Sequence, residues 1–108
     1  MPEVTVRIDG TVVTVVGVHT QAPHQYAFVD KWKRDLGAVR EVTSRLDTAI
    51  AVGDFNSAWW NQPFQDLIES GLVDAHVERG EGYVRTWGVR GVGPIGSLPL
   101  LGIDHALS

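Results

Sequence analysis

Residues 49–57 read AIAVGDFNS, so an apolar run of small and β-branched residues ends abruptly in a glycine, a carboxylate and a carboxamide. This pattern predicts a short buried strand followed by a loop. The carboxyl end of such a strand lies at the edge of a sheet where α/β proteins bind their ligands. Asp54 and Asn56 are two residues apart, so on an extended segment their side chains point to the same side. An acidic oxygen beside an amide is what the hydrolysis of a phosphate ester with a divalent metal requires.

The composition is that of one small globular domain. The chain has 108 residues, of which 44% are hydrophobic and 20% are charged. Its formal net charge of -4 argues against a strongly basic nucleic-acid interface. It does not exclude a nuclease, because a bound metal can supply the local positive charge. The chain has no cysteine, which excludes a disulfide framework and a thiolate zinc site.

The first residues predict a hairpin. Apolar and polar residues alternate over 4–8, the Asp9-Gly10 pair is a two-residue turn signal, and residues 11–18 form a more uniformly apolar strand. No apolar run approaches the ~20 residues of a membrane span. No signal peptide precedes the first strand. We therefore expect the chain to begin inside a sheet, as a piece of a longer domain. Further strands are predicted over 48–52, from 72–75, over 83–89 and over 103–107.

Two helices are predicted between these strands. Apolar residues recur at helical spacing over 25–46. A second helix begins near Asn61, with a proline in its first turn, and stops at Gly71. The glycines of 91–96 match the dinucleotide-binding pattern, but Pro94 excludes the helix that must follow it. Residues 88–96 are therefore predicted to form a flexible surface loop.

Polar groups follow three apolar runs, at His19, at Asp54 with Asn56, and at Asp104 with His105. If the strands run suitably, these groups meet at one edge of the sheet. Carboxylates are hard oxygen ligands that suit Mg²⁺ or Mn²⁺. Imidazoles stabilise a phosphoryl oxyanion or move a proton near neutral pH. The convergence of two imidazoles, two carboxylates and one amide predicts metal-assisted hydrolysis of a phosphate ester.

Each of these features also has a structural explanation. Gly-Asp after a strand is commonly only a turn, and a single histidine at a strand end is more often structural than catalytic. A strand on the surface accounts for Asp74 and His76. Trp59 and Trp60 either stack on a substrate or wedge the following helix against the sheet. Thr86 and its neighbour Trp87 either lie beside the site or pack against it.

Five short motifs occur along nearly the whole chain: HTQAP at 19–23, GDFNS at 53–57, GLVDA at 71–75, TW at 86–87 and IDH at 103–105. In this order they resemble the C-terminal half of the endonuclease/exonuclease/phosphatase superfamily, the deoxyribonuclease I-like proteins. The resemblance implies half of a four-layered α/β sandwich, with a mostly antiparallel or mixed sheet and two helices. Residues 1–108 would then be a partial domain. Its missing N-terminal half would carry an Asn and the principal metal-binding Glu, so the chain alone is expected to be inactive or nearly so.

The resemblance also implies a role for each site residue. His19 would contact the scissile phosphate, and Asp54 would orient or deprotonate the attacking water or protonate the leaving oxygen. Asn56 would hold the nucleophile and a phosphate oxygen. Asp104, with Asp54 and Asn56, would belong to the metal environment. His105 would stabilise the developing charge or act as a base, although the acidic partner that many members place shortly before it is missing between residues 87 and 104.

Three substrate-side candidates follow from the same resemblance. Thr86 would support the site from a neighbouring strand. Trp59 and Trp60 fall where the family places a variable loop, and are candidates for substrate specificity. The sequence at 19–23 resembles that of a membrane-tethered bacterial branch of the family, whose catalytic domain faces outward. Membership of that branch would favour lipid-linked or small phosphate esters over long DNA. The acidic net charge favours the same substrates mildly.

The resulting hypothesis is a phosphoric ester hydrolase that uses Mg²⁺ or Mn²⁺. The alternatives are a DNA or RNA endonuclease of the same superfamily, and a catalytically dead binding module on the same scaffold. Half of a sandwich leaves a broad apolar face on its sheet. We therefore expect the chain to self-associate, by strand pairing at an open edge or by exchange of elements.

Overall fold

The computed structural model describes residues 1–80, 87–90 and 97–108. Four strands form a mixed sheet in the order β1-β2-β3-β6, and two form a separate pair, β4-β5. The α/β class with a mixed sheet is therefore confirmed. The strands are β1 (Glu3–Ile8), β2 (Thr11–His19), β3 (Ala49–Asp54), β4 (Trp87–Arg90), β5 (Ser97–Leu101) and β6 (Asp104–Leu107).

Within the described residues three helices accompany the strands, where two were expected: α1 (Tyr26–Ser44), α2 (Gln62–Glu69) and α3 (Ala75–Glu78). Strands β2 and β3 are parallel, so the chain has to cross over between them, and α1 makes that connection. Strand β1 is antiparallel to β2, and β6 is antiparallel to β3. Among the helices of the described residues, none combines the length and apolarity that a membrane span needs.

The β1-β2 hairpin turns where the sequence predicts. Asp9 and Gly10 both have positive φ angles, of 49° and 82°. A two-residue turn of this kind matches the right-handed twist of the flanking strands, which is why aspartate and glycine are favoured in it. The turn sets the register of the whole hairpin, in which Ile8 pairs with Thr11 and Glu3 with Val16.

The hydrophobic core lies between one face of the sheet and the helices. Alternate sheet residues such as Val16, Ala51 and Leu107 supply this face and are completely buried. Burying a valine or leucine side chain contributes about 1.5–3 kcal/mol. The helices cover the face with five buried side chains, which are Trp32, Leu36 and Val39 of α1 and Phe64 and Leu67 of α2.

The opposite face of the sheet is also apolar. Val4, Ile8 and Val52 are exposed on it, Val52 by 41%. Val13 belongs to the same face and is buried, so the exposed area is not continuous over the whole sheet. Both faces of this sheet are therefore hydrophobic, although the helices described above cover one of them.

Two segments differ from their predicted structure. Residues 72–75 were expected to begin a strand; Asp74 forms an antiparallel bridge with Leu107, but α3 starts at Ala75, directly after its N-cap Asp74. Residues 88–90 were expected in a loop and are part of β4. The predicted strand over 83–89 is present from residue 87, and its earlier part lies outside the described residues, as does the loop at 91–96.

The third apolar run also folds differently. Its residues up to Leu101 belong to β5 in the other sheet, whereas the strand predicted over 103–107 is confirmed as β6. Asp104 begins β6. Because β6 runs antiparallel to β3, its first residue meets the last residue of β3, and Asp104 still reaches the expected edge.

Candidate functional site

Three polar residues form one row across the sheet. Asp54 pairs with His19 in the parallel β2-β3 ladder and with Asp104 in the antiparallel β3-β6 ladder. Directly paired residues project from the same face of a sheet. The next residues in the alternation, Val18 and His105, are buried on the helix-covered face, whereas His19 is exposed and both carboxylates are half-buried. We call His19, Asp54 and Asp104 the edge row.

Negative charge accumulates in the edge row. The pKa of Asp54 is raised above its ordinary value of 3.8, first because burial desolvates the carboxylate and then because the negative charge of Asp104 repels it. The Asn56 N–H bond and the positive charges of His19 and His105 act in the opposite direction but do not cancel these effects. A half-buried carboxylate next to another one favours either a proton or a cation.

The loop after β3 places Asn56 beside this row. The Asn56 backbone N–H donates to Asp54 Oδ1 at 2.7 Å, and its side-chain Nδ2 donates to the Thr20 carbonyl at 2.8 Å. Asn56 has a φ of 46°, in the left-handed region that asparagine tolerates better than most residues. Asn56 is therefore oriented by contacts to Thr20, after the end of β2, and to Asp54, at the end of β3.

A single carbonyl oxygen anchors the same loop. Phe55 O accepts hydrogen bonds from Thr20 Oγ1 at 2.7 Å, from Ser57 Oγ at 2.7 Å and from Trp32 Nε1 at 3.2 Å. All three donors are buried, so these bonds are shielded from water. Trp32 is buried in the core, and its indole N–H also fixes the candidate site from α1.

A steric constraint requires glycine at the first position of the GDFNS motif. Gly53 has a φ of 142°, and a Cβ added there would lie 2.1 Å from the carbonyl oxygen of Val18. No other residue type fits that approach without displacing β2. Gly53 therefore allows β2 and β3 to lie close together directly before the edge row.

His105 lies on the other face of the sheet. Its ring is buried, with Nδ1 2.6 Å from Asp74 Oδ2 and Nε2 2.7 Å from the Ser57 carbonyl. Both partners are acceptors, so a ring that carries a proton on each nitrogen donates to both and forms an ion pair with the carboxylate. The ring also packs against Phe64, with centroids 4.3 Å apart. His105 thus presents neither nitrogen to the edge row, where two imidazoles were expected to meet.

Asp74 is the acidic partner that the sequence did not reveal. It precedes His105 by 31 residues and belongs to the segment that leads into α3. Its side chain is only 2% exposed, so the interpretation as part of a surface strand is wrong. The apolar neighbours Leu72 and Val73 in the GLVDA motif were the available signal, since a carboxylate inside an apolar segment needs a partner when it is buried.

The two tryptophans have different surroundings. Trp59 packs against the core and makes an edge-to-face contact with Phe64, with centroids 6.2 Å apart. Trp60 is 61% exposed. It lines an open cavity of about 500 Å³ together with Asn56 and Pro23. The geometry therefore favours Trp60 over Trp59 as a substrate-side residue. The third candidate, Thr86, lies outside the described residues.

The donor atoms of the edge row fit a hard divalent cation. Asp54 and Asp104 supply carboxylates, and Asn56 supplies an amide next to them, which are the oxygen ligands that Mg²⁺ and Mn²⁺ prefer. The raised pKa of Asp54 is consistent with this donor set, because burial desolvates the carboxylate and the nearby negative charge of Asp104 adds to that effect.

Comparison with known proteins adds no assignment. No family model matches the chain, and a search of curated proteins also finds no match.

Proposed function

We propose that this chain is the catalytic half of a metal-dependent phosphoric ester hydrolase of the deoxyribonuclease I-like type. One observation carries the proposal. Residues from three distant motifs, His19, Asp54 and Asp104, lie in one cross-strand row on one face, with Asn56 beside it. A phosphate ester needs such a set of cation ligands, an amide and a protonatable imidazole.

Each member of the row has a chemical task in this proposal. Asp54 and Asp104 hold the cation, and Asp54, with its raised pKa, is also able to accept a proton from the attacking water. Asn56 donates to a phosphoryl oxygen or holds the water, because its loop fixes the amide. His19 is exposed at the end of the row and stabilises a phosphoryl oxygen when it is protonated. The cation, when bound, neutralises developing negative charge on the phosphoryl group.

His105 receives a different role from the one that the resemblance implies. Its Nε2 donates to the Ser57 carbonyl, one residue after Asn56. We assign it as a positioning residue that holds the catalytic loop from the core side of the sheet. Asp74 in turn holds its ring in the orientation that this bond requires.

The second face of the sheet supports the sandwich architecture. It is apolar and carries exposed Val4, Ile8 and Val52, as the inner face of a second packed layer would. The edge row provides two carboxylates, while the resemblance assigns a further Glu and an Asn to a half that this sequence lacks. The 108-residue chain alone is therefore expected to hydrolyse phosphate esters poorly or not at all.

The test is hydrolysis by the gene product that contains this sequence. It is assayed with Mg²⁺ on phospholipid, polyprenyl pyrophosphate and plasmid DNA. Asp54→Asn and Asp104→Asn are expected to lower kcat by at least about 100-fold, as removal of a group that stabilises the transition state does. Asp30→Asn, on the exposed face of α1, is the matched control and should retain wild-type activity.

The outcomes separate the alternatives. Cleavage of plasmid in preference to both lipid substrates would replace the favoured substrate class with the nuclease alternative. Hydrolysis that survives both row substitutions would refute the assignment of these residues. A gene product without hydrolytic activity on any substrate would favour the dead binding module.

A further inference from the structure

We propose that Asp74, His76 and His105 form a second metal site, of the kind that binds zinc, separate from the edge row. One ligand atom from each residue lies within 4.8 Å of the other two. The cluster contains two imidazoles and one carboxylate. This donor set suits Zn²⁺ and its transition-metal neighbours, whereas Mg²⁺ prefers a shell of oxygen atoms.

The backbone holds these three residues together. Asp74 Oδ1 accepts the backbone N–H of His76 at 2.9 Å, which caps α3 and turns His76 back towards the carboxylate. His76 Nδ1 then lies 3.5 Å from Asp74 Oδ1. Val73 and Ser108 exchange two backbone hydrogen bonds of 2.8 and 3.0 Å. That pairing fixes the end of β6, and with it His105, against the segment that carries Asp74.

The second shell of the cluster is already that of a metal site. His105 Nε2 donates to the Ser57 carbonyl, so its Nδ1 is the nitrogen that faces Asp74. A histidine that ligates a metal almost always donates its other N–H to a carbonyl or a carboxylate in this way. The Phe64 and Phe55 rings pack against the imidazole and prevent its rotation.

Access to the cluster comes from one side. The side chains of Asp74 and His105 are 2% and 6% exposed, and that of His76 is 30% exposed. An ion therefore enters past His76, and a water molecule on that side completes a four-coordinate shell, as in zinc sites with three protein ligands.

Only a small rearrangement separates the observed state from the bound one. Zinc ligands lie roughly 2.0–2.2 Å from the ion in a tetrahedron, which places them about 3.3 Å from one another. The His76–Asp74 separation of 3.5 Å already fits, whereas the His105–Asp74 separation of 2.6 Å is a hydrogen bond. Binding therefore replaces the Nδ1 proton of His105 with the ion, releases that proton to solvent and opens the pair by less than about 1 Å.

The experiment is a calorimetric titration of the 108-residue chain with Zn²⁺ alone. We expect one saturable site per chain, and no displacement of bound Zn²⁺ by millimolar Mg²⁺. His76→Ala removes a ligand from a partly exposed position and is expected to weaken binding at least 10-fold. His24→Ala, at an exposed loop histidine, is the matched control and should bind as the wild type does.

Two further measurements keep the test decisive. The ring nitrogens of His76 and His105 should change their ¹⁵N chemical shifts on zinc addition, while those of His19 and His24 do not. Asp54→Asn should leave zinc affinity unchanged, which separates this site from the edge row. Equal zinc binding by wild type and His76→Ala, or no saturable binding at all, would overturn the proposal.

Discussion

Nδ1 of His105 lies 2.6 Å from Oδ2 of Asp74, in a part of the molecule where both side chains are almost completely buried. This pair joins the last strand to the segment after α2. Through the Nε2 bond to Ser57 it also fixes the loop that carries Asn56. One buried ion pair therefore connects three separate parts of the chain on the side of the sheet away from the edge row.

Asp74→Asn should destabilise the protein strongly. It leaves the His105 charge buried without its carboxylate, and breaking a buried pair in this way costs about 3–5 kcal/mol. The free energy of unfolding from urea titration measures the effect. Asp66→Asn, which removes an exposed carboxylate bonded to Gln62, should change that free energy by less than about 0.5 kcal/mol. Equal stability of the two variants would show that the Asp74–His105 pair is not an ion pair.

Asp54→Asn should stabilise the protein at pH 7, because it keeps an acceptor for the Asn56 N–H and removes a poorly solvated charge. The pKa of Asp54 is raised, so the native state binds its proton more tightly than the unfolded state does. Wild-type stability therefore falls as the pH rises from 3.8, the ordinary pKa of an aspartate, through the raised pKa of Asp54. Melting temperatures should favour the variant by up to about 4 °C at pH 7 and converge below that range. A variant that melts lower at pH 7 contradicts this account.

Asp35→Asn should show the opposite dependence on pH. Burial alone would raise the pKa of Asp35, but the Gln21 N–H at 2.8 Å and Lys31 lower it overall. A carboxylate with a lowered pKa stabilises the folded protein at pH values above 3.8, its ordinary pKa. That stability is lost as the pH falls through the lowered pKa of Asp35. The variant should therefore melt below wild type at pH 7, with the gap closing on acidification. A gap that stays constant with pH would mean that the carboxylate charge contributes nothing.

Trp59→Ala and Trp60→Ala should separate folding from surface recognition. Trp59 packs on the core, so its truncation is expected to cost about 3 kcal/mol of unfolding free energy. Trp60 is mostly exposed and should cost less than about 1 kcal/mol. Urea titration of both variants makes the comparison. The reverse order would show that Trp60, and not Trp59, supports the core.

The apolar outer face of the sheet should drive self-association of the 108-residue chain. Light scattering at micromolar concentrations is expected to give a mass above that of the monomer. The double variant Ile8→Lys/Val52→Lys places two charges on that face and should return the mass to the monomer value. Val77→Lys, at an exposed position on α3, should not. A monomeric wild-type chain over this range would contradict the prediction.

Local sequence signals predicted the elements whose structure depends on near neighbours. The Asp9-Gly10 turn, the two hairpin strands and α1 follow from periodicity and turn chemistry within a few residues. The signals were misleading where a distant partner decides the structure. Asp74 was interpreted as part of a strand, but its side chain caps α3 and pairs with His105, and neither contact is visible at the level of local pattern.

The sequence by itself determined that Gly53, Asp54 and Asn56 stand at the end of a strand, because alternation and composition within 49–57 are local properties. Only the tertiary structure decided that Asp104 joins Asp54 while His105 turns away. Adjacent residues of a strand project from opposite faces, and the antiparallel pairing of β6 with β3 sets which one faces the helices. The division between an exposed edge row and a buried ion pair follows from that register, which depends on packing far along the chain.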